Sequence, residues 1–137
     1  YLIDKKARSA LNKINLDYGH GTGHGVGFFL NVHEGPQSIS KNNYINLQEG
    51  MIVSNEPGYY VEGKFGIRIE NLVFIKKNKQ KLYFKNLTLA PLEKDLIDIK
   101  MLTKKEKDYL FQYNLETYSK LSPYLKNNER KWLAKLI

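Results

Sequence analysis

Apolar residues in the first sixteen positions recur at spacings of three and four: Leu2, Ala7, Ala10, Leu11 and Ile14 are separated by polar residues. This spacing predicts a helix that stops near Asn15. Glycine then occupies every odd position from Gly19 to Gly27, a backbone able to adopt positive φ and to approach other groups closely. Phe28 to His33 and Met51 to Tyr60 predict extended segments, with the polar stretch 35–46 between them. Ile67 to Ile75 alternates as a strand does, placing Ile67, Ile69, Val73 and Ile75 on one face and Arg68 with Glu70 on the other. A lysine-rich turn and a second strand over Leu82 to Leu89 complete a hairpin. Thr103 and Glu106 have the spacing of a capping box, opening a helix that carries Leu110, Tyr113 and Leu121. Ser122-Pro123 reads as the N-cap and first residue of a further helix leading to Trp132, Leu133 and Leu136. Central strands with helices at the ends give an α+β class with antiparallel pairing.

The 137 residues suffice for one domain or part of one. Hydrophobic residues make up 42%, and no apolar run approaches a membrane span, so neither disorder nor membrane insertion is expected. The lack of cysteine excludes disulfides and thiolate chemistry and suits a reducing, cytoplasmic setting. The opening Tyr1-Leu2-Ile3-Asp4 reads as the middle of a longer polypeptide. The net charge of +8 arises wholly after residue 75, where 15 basic residues face 7 acidic ones. No RNA-binding or zinc-finger signature accompanies this charge, so no nucleic-acid partner is expected.

The candidate chemistry is concentrated. All three histidines, His20, His24 and His33, fall within fourteen residues. Alone they read first as a structural glycine loop whose imidazoles are merely hydrogen-bonded. Glu56 and Glu70 are embedded in apolar segments, where a carboxylate needs a cation or several hydrogen bonds. Arg68 could supply one partner as a simple ion pair with Glu70. Histidine together with two glutamates points instead to a metal, and suits manganese, cobalt or zinc better than copper. Neither a phosphate-cradling glycine motif nor a serine-nucleophile elbow can be laid on the sequence.

Tyr18-Gly-His-Gly-Thr-Gly-His-Gly-Val-Gly27, Leu30-Asn-Val-His-Glu-Gly-Pro36, Ser54-Asn-Glu-Pro-Gly-Tyr-Tyr60 and Gly66-Ile-Arg-Ile-Glu-Asn71, in that order, closely resemble the Xaa-Pro aminopeptidases, or aminopeptidase P. The likeness continues through Leu87-Thr-Leu-Ala-Pro91 and Leu96-Ile-Asp98 to the terminal helices. It implies the pita-bread fold of the metallopeptidases, of which residues 1–137 would be the C-terminal half: a site-bearing part over 1–90 and a helical extension of the same domain over 91–137. It further implies that His24, Glu56 and Glu70 ligate metal, with Glu56 also implicated in proton transfer, and that His20 and His33 contact substrate and assist the transition state. Arg68 would stand beside the bridging Glu70, and Tyr60 would help form the substrate pocket. The implied cofactor is a pair of divalent cations, Mn2+ foremost with Zn2+ or Co2+ as alternatives, which share a hydroxide as nucleophile. The implied substrate is a peptide with proline second, and the implied assembly a homodimer. Such a site needs two further aspartate ligands upstream of the glycine-histidine loop. Asp4 and Asp17 lack that context, so the isolated chain is expected to bind metal weakly and to be inactive. A prolidase, or a pita-bread domain that has lost its metals and serves as a binding module, is the alternative.

Overall fold

The computed structural model describes residues 1–29 and 31–137 and divides into two compact units, Tyr1–Thr88 and Leu89–Ile137. The first unit opens with helix α1 (Leu2–Asn12), which ends earlier than the apolar spacing predicts. Asn15 takes a left-handed φ of 59°, a conformation asparagine tolerates and a continuing helix does not. The buried face of α1 also differs from the apolar one: Asp4 and Arg8 are buried, whereas Leu2 and Ile14 are exposed.

Among the described residues seven short strands follow, all paired antiparallel. Strands β1 (Gly23–His24) and β2 (Ser38–Ile39) form one pair, with β2 inside the stretch expected to be irregular. The extended segment expected over Phe28 to His33 is absent among its described residues: Phe28 and Phe29 stand out from the surface, Phe29 has a φ of 53°, and Leu30 lies outside the described residues. Each of the two longer predicted strands is broken in two. Met51 to Tyr60 becomes β3 (Ile52–Asn55) and β4 (Gly58–Val61), interrupted at Glu56-Pro57, because proline offers no N–H to a ladder. Ile67 to Ile75 becomes β5 (Phe65–Arg68) and β6 (Asn71–Asn78), interrupted at Ile69 and Glu70.

The halves of each broken segment pair with each other's counterparts. β3 pairs with β6, placing Val53 opposite Val73, and β4 pairs with β5, placing Tyr60 opposite Gly66. The predicted single face splits accordingly. Val73 and Ile75 are 2% exposed, while Ile67 and Ile69 are 50% exposed. Strand β7 (Lys81–Asn86) completes the hairpin with β6 around Lys79, whose φ of 55° suits a two-residue connection. Ile39, Val53, Val73 and Ile75 form the core, with Leu47 and Met51 packed against it. Burial of each such side chain contributes about 1.5–3 kcal/mol.

In the second unit, α2 (Lys104–Leu121) starts as predicted: Thr103 Oγ1 accepts from the Glu106 amide, and the Glu106 carboxylate accepts from the Thr103 amide. Ser122 and Pro123 do not open the last helix. They sit in a 3-10 turn, and α3 (Asn127–Leu136) begins after Lys126, whose amide donates to Glu129. In α3 Leu133 is buried and Trp132 exposed, and in α2 the Tyr113 hydroxyl donates to the Ala90 carbonyl at 2.7 Å.

Candidate metal centre

The breaks in the strands deliver the candidate ligands. His24 ends β1, Glu56 follows β3 at the Pro57 interruption, and Glu70 occupies the interruption between β5 and β6. One donor atom from each lies within 4.8 Å of those of the other two. That span can be bridged by divalent cations with nitrogen and oxygen bonds of about 2.0–2.6 Å. The His24 Nδ1–H donates to the Gly25 carbonyl at 3.0 Å, so its Nε2 carries the lone pair, 3.4 Å from Glu56 Oε1. Such a fixed tautomer is what a ligating imidazole requires. Imidazole and two carboxylates therefore fit a divalent cation.

Two groups that the sequence motifs left unmarked hold this set in place. The buried Ser54 hydroxyl donates to Glu56 Oε1 at 2.9 Å and accepts from the His24 amide at 2.9 Å, joining two candidate ligands through one oxygen. The Glu56 amide donates to the Thr22 carbonyl at 2.8 Å. A small residue followed two positions later by Glu56 is the only trace of Ser54's role in the sequence. Ser54→Ala is expected to weaken divalent-cation binding by the intact protein about 10–100-fold, as loss of a ligand's orienting partner does, with little change in melting temperature. Competition with a fluorescent chelator measures it, and unchanged affinity would show that Ser54 does not orient Glu56.

A second chain of polar contacts reaches the remaining candidates. Arg68 Nη1 donates to Glu56 Oε2 at 3.0 Å and Arg68 Nε to the Tyr60 hydroxyl at 2.9 Å. The expected Arg68 and Glu70 ion pair is thus replaced by one with Glu56, because β5 ends at Arg68 and Glu70 belongs to the following break. Glu70 is also exposed and not set in a central strand as expected. The Tyr60 hydroxyl lies 2.7 Å from His20 Nε2, and His20 Nδ1–H donates to the Gly21 carbonyl at 2.7 Å. In neutral His20 the tyrosine O–H therefore donates to Nε2. The His33 ring packs on that of His24 with centroids 4.0 Å apart. The structure thus places His20, His33, Tyr60 and Arg68 around the His24, Glu56 and Glu70 cluster.

Asp4 and Asp17 are engaged elsewhere. Arg8 Nε donates to Asp4 at 2.9 Å and Nη1 to Asp17 at 2.6 Å. Burial alone would raise the Asp4 pKa, but hydrogen bonds from Arg8 and Thr22 outweigh it and keep the carboxyl below its ordinary range. Hydrogen bonds from Arg8 and then Lys41 draw Asp17 down to about 2.

Known proteins resemble this chain in sequence and in fold. Residues 2–77 match the model of metallopeptidase family M24, and residues 80–136 match the C-terminal region of peptidase M24. A probable Xaa-Pro aminopeptidase P of Laccaria bicolor is 49% identical over 98% of this chain and 23% of its own length. The crystal structure of X-prolyl aminopeptidase from Caenorhabditis elegans, described as a cytosolic enzyme with a di-nuclear active site, matches with a TM-score of 0.91 and 38% identity. That match covers 98% of this chain and 24% of the other. An Xaa-Pro dipeptidase from Bacillus anthracis matches 66% of the chain and 24% of its own, with a TM-score of 0.55 and 32% identity. The chain spans about a quarter of the length of the relatives it matches. Among the described residues no helix is long and apolar enough to cross a membrane. With more than half its length matched by the family model, and the His24, Glu56 and Glu70 donors drawn together, the chain belongs to metallopeptidase family M24, with the antiparallel α+β architecture of its pita-bread members.

Proposed function

We propose that the protein carrying these residues is a metal-dependent aminopeptidase that releases the N-terminal residue from peptides with proline in the second position. The convergence of His24, Glu56 and Glu70 donors within 4.8 Å carries this reading. It is supported by 49% identity to a probable Xaa-Pro aminopeptidase P across both units of the chain. We assign metal ligation to His24, Glu56 and Glu70, with the further ligands of a dinuclear centre coming from outside these residues, so that the isolated chain is inactive. The di-nuclear site of the C. elegans relative supports two cations, and the oxygen-rich donor set favours Mn2+ over Zn2+ or Co2+. Residues 91–137 are read as a helical extension of the same catalytic domain. A cytoplasmic setting is supported by the cytosolic C. elegans relative, and a homodimer is carried from the resemblance.

When bound, the cations lower the pKa of water and polarise the scissile carbonyl. The chain's own residues do the rest. Glu56, with a carboxylate anchored by Ser54 and Arg68, accepts a proton as the nucleophile forms and returns it to the leaving proline nitrogen. His20, whose ring nitrogens are held by Gly21 and Tyr60, positions the substrate carbonyl, and His33, packed on His24, presents its imidazole to that carbonyl and stabilises its developing negative charge. Arg68 anchors the Glu56 carboxylate through Oε2 and orients the hydroxyl of Tyr60, the residue assigned to the substrate pocket. A peptide bond to proline carries no N–H, so recognition rests on shape and on the free amino terminus of the substrate.

The intact protein in Mn2+ is expected to release the first residue of an Xaa-Pro-Pro peptide, and a chelator is expected to abolish this. A metal-loaded protein that leaves the peptide intact overturns the reading. The likeness to the B. anthracis Xaa-Pro dipeptidase makes a prolidase the second reading. Cleavage of an Xaa-Pro dipeptide in preference to the tripeptide would favour it.

A further inference from the structure

Arg8 lies on α1, away from the metal cluster, yet it is 3% exposed and its guanidinium is almost fully committed. Beyond Asp4 and Asp17, Nη1 donates to the Tyr18 carbonyl at 2.8 Å and Nη2 to the His20 carbonyl at 2.6 Å. The guanidinium also stacks over the Tyr18 ring, 4.0 Å from its centroid. Asp4, itself fully buried, accepts from the Thr22 hydroxyl at 2.7 Å, and the Tyr18 hydroxyl in turn donates to Thr22 at 2.6 Å. A buried arginine carries a large desolvation cost unless its donors are satisfied. Here the acceptors are two carboxylates and two carbonyls of the loop that bears His20.

These contacts close a circuit. Glu56 is tied by its amide to the Thr22 carbonyl, and Thr22 through Asp4 to Arg8. Arg8 holds the His20 backbone, His20 meets Tyr60 through its ring, and Tyr60 returns through Arg68 to the Glu56 carboxylate. His20 and Glu56 are thereby fixed relative to each other twice, once through their side chains and once through the backbone behind them.

We propose that Arg8 is a positioning residue for the reaction, setting the His20 imidazole against Glu56 through the buried Asp4, Thr22 and Tyr18 network. Built on the aminopeptidase reading, it adds to that reading a residue on the first helix. Lysine cannot reproduce the role, because one ammonium cannot donate in a planar fork to four acceptors. A misplacement of about 1 Å at a reacting group costs on the order of 10²-fold in rate.

The test uses the intact protein with Arg8→Lys, Thr22→Val and Thr22→Ser. For Arg8→Lys and Thr22→Val, kcat per metal-loaded molecule on Xaa-Pro-Pro is expected to fall about 10²-fold, with KM and metal content little changed. Thr22→Ser, which keeps the hydroxyl, is expected to restore most of kcat. A purely structural role would lower yield and melting temperature and leave kcat per loaded molecule untouched, which overturns the proposal. Should Arg8→Lys fail to fold, the Thr22 pair decides. A crystal structure of Thr22→Val adds a readout independent of turnover: the 2.7 Å His20 to Tyr60 contact is expected to lengthen while Glu56 keeps its place. A wild type that releases nothing from Xaa-Pro-Pro therefore defeats the aminopeptidase reading alone, and an unmoved His20 defeats the positioning role alone.

Discussion

Glu56→Gln in the intact protein is expected to lower kcat/KM on an Xaa-Pro-Pro peptide by at least about 10³-fold, the range set by removal of an acid-base group, and to reduce bound metal. The two carboxylate oxygens have separate duties: Oε1 accepts from Ser54 and faces His24 Nε2, while Oε2 accepts from Arg68. Glutamine has the same shape but one acceptor oxygen. If the NH2 group faces the Arg68 guanidinium, donor meets donor; if it faces Ser54, which can accept, the anionic oxygen beside His24 Nε2 is lost. The neutral amide is also a poor ligand for a divalent cation and a poor proton acceptor. Because Glu56 is only 8% exposed, water cannot fully replace what is lost. Steady-state kinetics with metal analysis by mass spectrometry measures both effects. Wild-type rates at full metal content would remove Glu56 from the centre. Glu62→Gln, exposed in the turn between β4 and β5, is the matched control and is expected to change neither quantity by more than about twofold.

The residues proposed for this centre could be picked out in the sequence, and the contacts that join them could not. Histidine with two glutamates among glycines and apolar runs pointed to a cation, while Arg68 in the same run offered a second means of compensating charge, the one that Glu56 takes. What the pattern could not reveal was that Glu56 and Glu70 sit at interruptions. Ile67 to Ile75 has unbroken alternation, yet Ile67 and Ile69 belong to the exposed β4 and β5 pair while Val73 and Ile75 belong to the core. Period-two spacing reports which residues share a face only as long as the strand stays in one sheet. The first helix misleads in a related way, since Leu2 is exposed and Asp4 and Arg8 are inside. Charged residues four apart on a helix read as a solvated pair, and only the loop folded over them makes that pair an interior anchor. The capping box at Thr103 and the hairpin at Lys79 were both legible, because each is decided by neighbours within four residues.

Gly23→Ala is expected to damage the fold and the metal centre together, and Gly19→Ala to be the most benign change in the glycine run. The run suggested positive φ, but among the described glycines the left-handed ones are Gly50 and Gly63, and none lies between residues 19 and 27. What Gly23 supplies is closeness. A Cβ there would stand 1.9 Å from the Ser54 carbonyl oxygen and 2.8 Å from its carbon, whereas one on Gly19 would meet nothing within 4 Å. The obstacle is backbone in β3, held by pairing with β6, so β1 itself must retreat. Overpacking of this kind costs about 1–3 kcal/mol. The retreat also carries His24 away from the Ser54 hydroxyl that orients it and from Glu56, so metal affinity should fall together with melting temperature. Gly19→Ala should stay within about 0.5 kcal/mol of wild type and keep its metal. Thermal unfolding and chelator competition on both variants measure the difference, and equal behaviour would show that β1 is free to shift. Adding Ser54→Ala to Gly23→Ala should restore nothing, because the clash is with the Ser54 main chain and the second change removes only the hydroxyl that His24 and Glu56 share.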